Sequence, residues 1–212
     1  AELLQKAFEK SFDVVLEKGS SWIGKICGEE KKLRRYELFS QKPLSGWELS
    51  KLGCEVAARA SANMVFSSVQ GGMMGALGIG LPDVPIFLAA VFKTLFEISL
   101  SFGYPYDTKQ EQTYQMLLIC AAVGEEAERK QAAVDANIVA QQIRMGTGIC
   151  SVSFEEAKQR ASKALCGAAL MGKMVQGAPI IGVYGGFRNG VLLKQIGTVA
   201  AVKYQQRMLR ER

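Results

Sequence analysis

Glycine is crowded into two apolar stretches, and few folds tolerate that arrangement. Between Ala60 and Phe92 the only charged residue is Asp83, while Gly71, Gly72, Gly75, Gly78 and Gly80 all fall inside the interval. Near the other end, Gly167, Gly172, Gly177, Gly182, Gly185, Gly186 and Gly190 surround Pro179. A glycine inside a helix costs about 1 kcal/mol relative to alanine, so a cluster of them needs a return, most simply backbones that approach more closely than a Cβ would allow. Small residues four apart, as in Gly71/Gly75, Gly182/Gly186 and Gly186/Gly190, suit that approach. The expectation is an all-α, single-domain compact helical bundle over residues 1–212 with two glycine-rich, closely packed helical elements.

The rest of the chain has helical spacing and helix punctuation. Leu4, Phe8, Phe12 and Val15 recur on one face, and Gly19 closes that segment. Residues 29–35 carry both charge signs and read as a solvated helix face. Ser45 with Glu48, Thr108 with Glu111 and Ser153 with Glu156 each have capping-box spacing. Asp83 and Pro85 suit the first turn of a further helix, and Gly124 and Gly146 suit helix stops. In the last helix Leu192, Ile196, Val199, Ala200 and Tyr204 share a face. No segment alternates long enough to demand a sheet, although residues 180–184 have room for a short strand.

Residues 60–82 are uncharged and long enough to raise the question of a membrane span. Their Ser61, Asn63, Ser67, Ser68 and Gln70 argue against one. A return through the following helix would also set Lys93 and Glu97 near mid-bilayer, at roughly 2.5–3.5 kcal/mol each. Buried helices are the expectation.

The chain contains no histidine, which removes the commonest general base near neutral pH and the commonest metal ligand. Ser-His-Asp, Cys-His and His-based zinc sites are therefore excluded within it. Five cysteines, at positions 27, 54, 120, 150 and 166, form no C-x-x-C pair and no evident disulfide framework, which points to a reduced, intracellular chain. The first residues show no leader pattern, and the expected location is cytoplasmic, with peripheral placement on the inner face of the membrane in view. The segment Gly19 to Ile26 comes near the phosphate-binding G-x-x-x-x-G-K-[ST] loop, but Ile26 stands where the magnesium-reaching hydroxyl belongs and the preceding segment reads as helix. No cofactor is expected.

Net charge is +6, and Lys203, Arg207, Arg210 and Arg212 concentrate cations at the end of the last helix. They are candidate contacts for an anionic surface, while cations also suit a helix C-terminus for dipole reasons alone. With no basic stripe interleaved with aromatics, the sequence argues against nucleic acid as a partner.

Two motifs carry a family resemblance. Gly80-Leu81-Pro82-Asp83-Val84-Pro85 followed by Phe102-Gly103-Tyr104-Pro105-Tyr106-Asp107, with Ala178 to Gly186 and Asn189 near the end, resembles the EcsC family. The resemblance covers a core of roughly 45–209, with 1–44 as an N-terminal helical extension. It implies a bacterial protein of a family named for a member encoded beside an ABC transporter, with no agreed biochemical activity. The matching positions are Pro82, Asp83, Glu97, Gly103, Tyr104, Asp107, Pro179, Gly182 and Asn189, carried over as structural or ligand positions and not as catalytic ones. The functional expectation is a non-catalytic accessory or regulatory protein that binds an anionic membrane surface, a lipid or a transporter-associated partner. The alternatives are a histidine-free hydrolase using Asp83, Glu97 or Tyr104, and a protein-interaction module.

Overall fold

The computed structural model describes residues 2–19, 83–174 and 183–211, which form six α-helices and, among the described residues, no strand. They are α1 (Glu2–Val14), α2 (Asp83–Ser101), α3 (Lys109–Val123), α4 (Glu126–Met145), α5 (Phe154–Met174) and α6 (Val183–Glu211). The all-α expectation holds. The first glycine-rich stretch, the Ser45/Glu48 cap, the 29–35 segment and the Gly19–Ile26 motif beyond its first residue lie outside the described residues. So does the middle of the second glycine stretch, and only its flanks are seen, in α5 and α6. Of the proposed short strand, Val183 and Tyr184 are helical.

Helix α3 is the centre of the fold. Every residue from Glu111 to Cys120 is buried, because α4, α5 and α6 all pack around it. Helix α1 lies across α5 and α2, where Phe12 meets Phe92 edge-on at 5.6 Å and Phe8, Phe12 and Val15 are buried as their spacing requires. After Val14 this segment widens into a π-helical turn, Val15–Gly19. Three ion pairs fasten the periphery: Lys158 to Asp13 at 2.8 Å joins α5 to α1, and Arg160 joins α5 to Glu128 and Asp135 of α4, both at 2.8 Å.

Helix ends follow the local chemistry. The Thr108 hydroxyl accepts the Glu111 N–H at 3.2 Å, and the Ser153 hydroxyl accepts the Glu156 N–H at 3.1 Å. Gly146, at φ 64°, closes α4 with paired returns, its own N–H to the Ile143 carbonyl and that of Thr147 to the Gln142 carbonyl. Gly124 stops α3 for a different reason. Its backbone is extended, but a Cβ there would lie 2.7 Å from the Cys120 carbonyl oxygen and 3.0 Å from Glu128, so space and not φ demands glycine.

The end of α2 explains part of the Phe102-Gly103-Tyr104 motif. Gly103 takes φ 80°, its N–H returns to the Leu100 carbonyl at 3.1 Å and the Tyr104 N–H to the Ser99 carbonyl at 2.9 Å. This left-handed stop turns the chain so that Phe102 and Tyr104 both face Tyr204 of α6. Gly103→Ala is therefore expected to cost about 1–2 kcal/mol, the left-handed penalty of a Cβ, read as a lowered urea midpoint with unchanged slope.

By length and composition, residues 84–101 of α2 would suffice to cross a membrane, but 78% of that window is buried against the protein's own helices. The Lys93 ammonium meets the Glu97 carboxylate at 3.0 Å one turn on, with only 8% and 19% of the side chains exposed. The expected core role of this helix is what the packing gives.

Candidate functional site

The polar centre of the fold is built on α3. Glu111 has no exposed surface, and its carboxylate turns inward to α6 instead of back to the Thr108 N–H as a full capping box would have it. The Tyr204 hydroxyl donates to Glu111 Oε1 at 2.6 Å. Arg207 Nη1 straddles both carboxylate oxygens, 3.0 Å from Oε1 and 2.8 Å from Oε2. Arg207 Nε reaches Glu211 at 3.1 Å, and the Tyr104 hydroxyl donates to the other Glu211 oxygen at 2.7 Å. The guanidinium sits 4.0 Å from the centre of the Tyr104 ring and 5.3 Å from that of Tyr114, so aromatic faces cover what the carboxylates leave.

The electrostatics follow from burial and pairing. Burial pushes the Glu111 carboxyl above its ordinary value, against the Arg207 charge and the two donors that favour the anion. Burial works against the Arg207 charge, but Glu111 more than offsets it and keeps the guanidinium firmly protonated. The Tyr204 hydroxyl is raised by burial and then by Glu111, so it remains a donor. Every contact on Glu111 comes from a donor, the arrangement of an ionised carboxylate. This is a structural centre, closed to solvent at Glu111.

Beside it lies a cleft. Helices α4 and α6 both pack on α3 but barely touch each other, leaving a cavity of about 370 Å³ between them. Asn137, Gln141 and Arg144 line one wall, Lys203, Gln206 and Arg210 the other, and Tyr114 of α3 closes it from beneath. Lys203 donates to the Ala133 carbonyl at 3.0 Å and to Asn137 Oδ1 at 3.1 Å, both neutral acceptors. Burial, then the neighbouring Arg210 charge, lowers its pKa from the ordinary lysine value. Arg144 donates to the Arg210 carbonyl at 3.1 Å, again a neutral group. Among the described residues no carboxylate pairs with Arg144, Lys203 or Arg210. Glu211, the one carboxylate among the described residues of the cleft wall, is held by Arg207 and Tyr104.

The sequence candidates scatter. Of the terminal cations expected at the surface, Arg207 is only 6% exposed and is committed to Glu111, which corrects its assignment as an anionic-surface contact. Lys203 and Arg210 line the cleft with their charges unmatched by any described carboxylate, the committed Arg207 borders it too, and Arg212 lies outside the described residues. Tyr104 and Gly103 belong to the buried centre. Glu97 pairs within α2, Asp107 is exposed in the loop before α3, Asp83 is the first residue of α2, and Asn189 falls within α6. Pro82, Pro179 and Gly182 lie outside the described residues. Glu111, Tyr114, Arg144 and Glu211 were not singled out as site residues. A hint for Arg207 exists, since it follows Tyr204 by three on the apolar face of α6, where an unpaired charge would be costly.

Nucleophiles and metal ligands are sparse. Burial pushes the Cys120 thiol up to about 12 and raises Cys150 and Cys166 as well, so none of these is a ready thiolate. Among the described residues no group of three cysteine or carboxylate side chains is placed to hold a metal ion.

A model of the EcsC protein family matches residues 1–209, and the chain belongs to that family. No curated protein and no solved structure matches the chain.

Proposed function

We propose that the chain is a non-catalytic accessory protein that docks on an anionic membrane surface through the face shared by α4 and α6. The observation that carries this reading is the coincidence of cations without carboxylate partners and apolar side chains left in water. Arg144, Lys203 and Arg210 supply the charge. On α4, Val134, Ile138 and Met145 share one face by their spacing and are 52%, 41% and 60% exposed, with Ile138 on the cleft wall itself. On α6, Val202 and Leu209 lie two turns apart and are 47% and 53% exposed. Apolar side chains that enter the headgroup boundary, beside cations that meet anionic lipid, form the combination by which helices lie on a bilayer.

The described residues give the hydrolase alternative no support. Glu97 is engaged by Lys93 and Tyr104 by Glu211, and neither lines the α4–α6 cleft. A transporter-associated partner would meet the same face.

Co-sedimentation with vesicles tests the reading. Binding is expected to phosphatidylglycerol vesicles and not to phosphatidylcholine vesicles, to weaken as salt shortens the Debye length from about 30 Å at 0.01 M to about 10 Å at 0.1 M, and to fall further with Ile138→Asp. Equal binding to both vesicle types at low salt would sink it.

A further inference from the structure

The floor of the cleft holds a group that the buried centre leaves unused. Tyr114 is 1% exposed, its ring is clamped edge-on against Tyr204 at 5.2 Å, and it lines the cleft. Its hydroxyl makes no hydrogen bond with any described residue, although burial and then the Glu111 charge keep it protonated and able to donate. The hydroxyl is not among the enclosed polar atoms left without a partner, so it opens into the cleft. Above it, Lys203 spends two of its three N–H donors on Ala133 and Asn137, and Arg144 has donors beyond the one given to the Arg210 carbonyl. Donors from three helices thus line one cleft: a hydroxyl from α3, a guanidinium from α4, and an ammonium and a guanidinium from α6.

We infer that this cleft is a specific site for one phosphomonoester group, held by Lys203, Arg144 and Arg210 with the Tyr114 hydroxyl donating from below. The chemistry selects the class. A planar carboxylate offers two oxygens and one charge, whereas a phosphomonoester offers three terminal oxygens and a charge of about −1.5 to −2 near pH 7, which better matches three cations and a hydroxyl set around a single cavity. The cavity, about 370 Å³, stands at the small end of ligand sites, which run from about 300 to 1,000 Å³, and suits a headgroup more than an acyl chain. Glu211 on the wall opposes an anion and shares Arg207 with Glu111, so the three open cations outnumber one carboxylate at the cleft. Burial first, and the Arg210 charge second, lower the pKa of Lys203, and an anion in the cleft would oppose both. The proposal rests on the reading of this face as anion-seeking, and the phosphate group can arrive on a lipid or on a soluble ester.

Calorimetric titration of the full chain with glycerol phosphate is the first arm. Saturable one-to-one binding is expected, weakened at least tenfold by Lys203→Met and several-fold by Tyr114→Phe, with thermal melts confirming that each variant is folded. Lys163→Met, an exposed cation on α5 away from the cleft, should bind as the wild type does. No saturable binding, or loss in Lys163→Met as large as in Lys203→Met, would overturn the site. The second arm compares phosphatidic acid with phosphatidylglycerol vesicles. Preference for phosphatidic acid that disappears in Tyr114→Phe supports the site with a lipid source. Titration with glycerol phosphate alone, without vesicle binding, supports the site and refutes the membrane reading. Equal binding to both lipids with no titration by the soluble ester overturns the site and leaves the membrane reading standing.

Discussion

Arg207→Met is expected to lower the unfolding free energy by about 3–5 kcal/mol, measured by urea denaturation, because it leaves Glu111 as a buried charge without its partner. Against a total of about 5–15 kcal/mol for a typical domain, that is enough to populate the unfolded state in mild denaturant. The loss does not measure what the pair contributes to stability. Desolvating two charges is expensive, and a well-packed apolar pair often does as well. The double variant Glu111→Leu with Arg207→Met should therefore be less destabilised than the sum of the two single changes. Recovery should be partial, because the Tyr204 hydroxyl would lose its acceptor and keep only the 3.4 Å contact from Gln115. Strictly additive single losses would show that the two residues are not coupled, contrary to their contact at 2.8 Å.

The same network shows what a sequence reading reaches. Thr108, Ser153, Gly124 and Gly146 were legible because a helix terminus is decided within four or five residues. The buried stripe of α1 and the apolar face of α6 were legible because periodicity reports which side meets the core. Glu111 was legible only as half of a capping box. The backbone half of that local motif is present, but the carboxylate goes to Arg207, and a partner 96 residues away leaves no local trace. Arg207 was grouped with Lys203 and Arg210 because all three are cations near the chain's end. All three reach the same cleft, but the fold commits only Arg207 to a buried carboxylate. The cleft was out of reach, since it exists because α4 and α6 both lean on α3 and touch each other only through a few polar side chains. Of the motif Phe102-Gly103-Tyr104, the resemblance supplied the positions and the geometry supplies the reason: a left-handed stop that delivers one ring to Tyr204 and another to the Arg207 guanidinium.

Removing charge from the open cations should do the opposite of removing it from the buried one. The triple variant Arg144→Gln, Lys203→Gln, Arg210→Gln is expected to reduce partitioning onto anionic vesicles by roughly 100-fold at low salt, at about 1 kcal/mol for each basic residue near such a surface. Its thermal stability should change little, because the lost Lys203 and Arg144 hydrogen bonds are offset by relief of repulsion. Lys203 is held with its charge disfavoured by burial and by Arg210, and the glutamines relieve that repulsion. The argument depends on Arg207 remaining in place, so that Tyr104, Glu111 and Glu211 stay satisfied. A destabilised triple variant would mean that the three cations hold α4 to α6, making the cleft a structural joint. A stable triple variant that partitions as the wild type does would place membrane contact on some other face. Stability kept or raised while vesicle binding falls is the pattern of residues held against the interest of the fold, which is how a binding surface differs from a core.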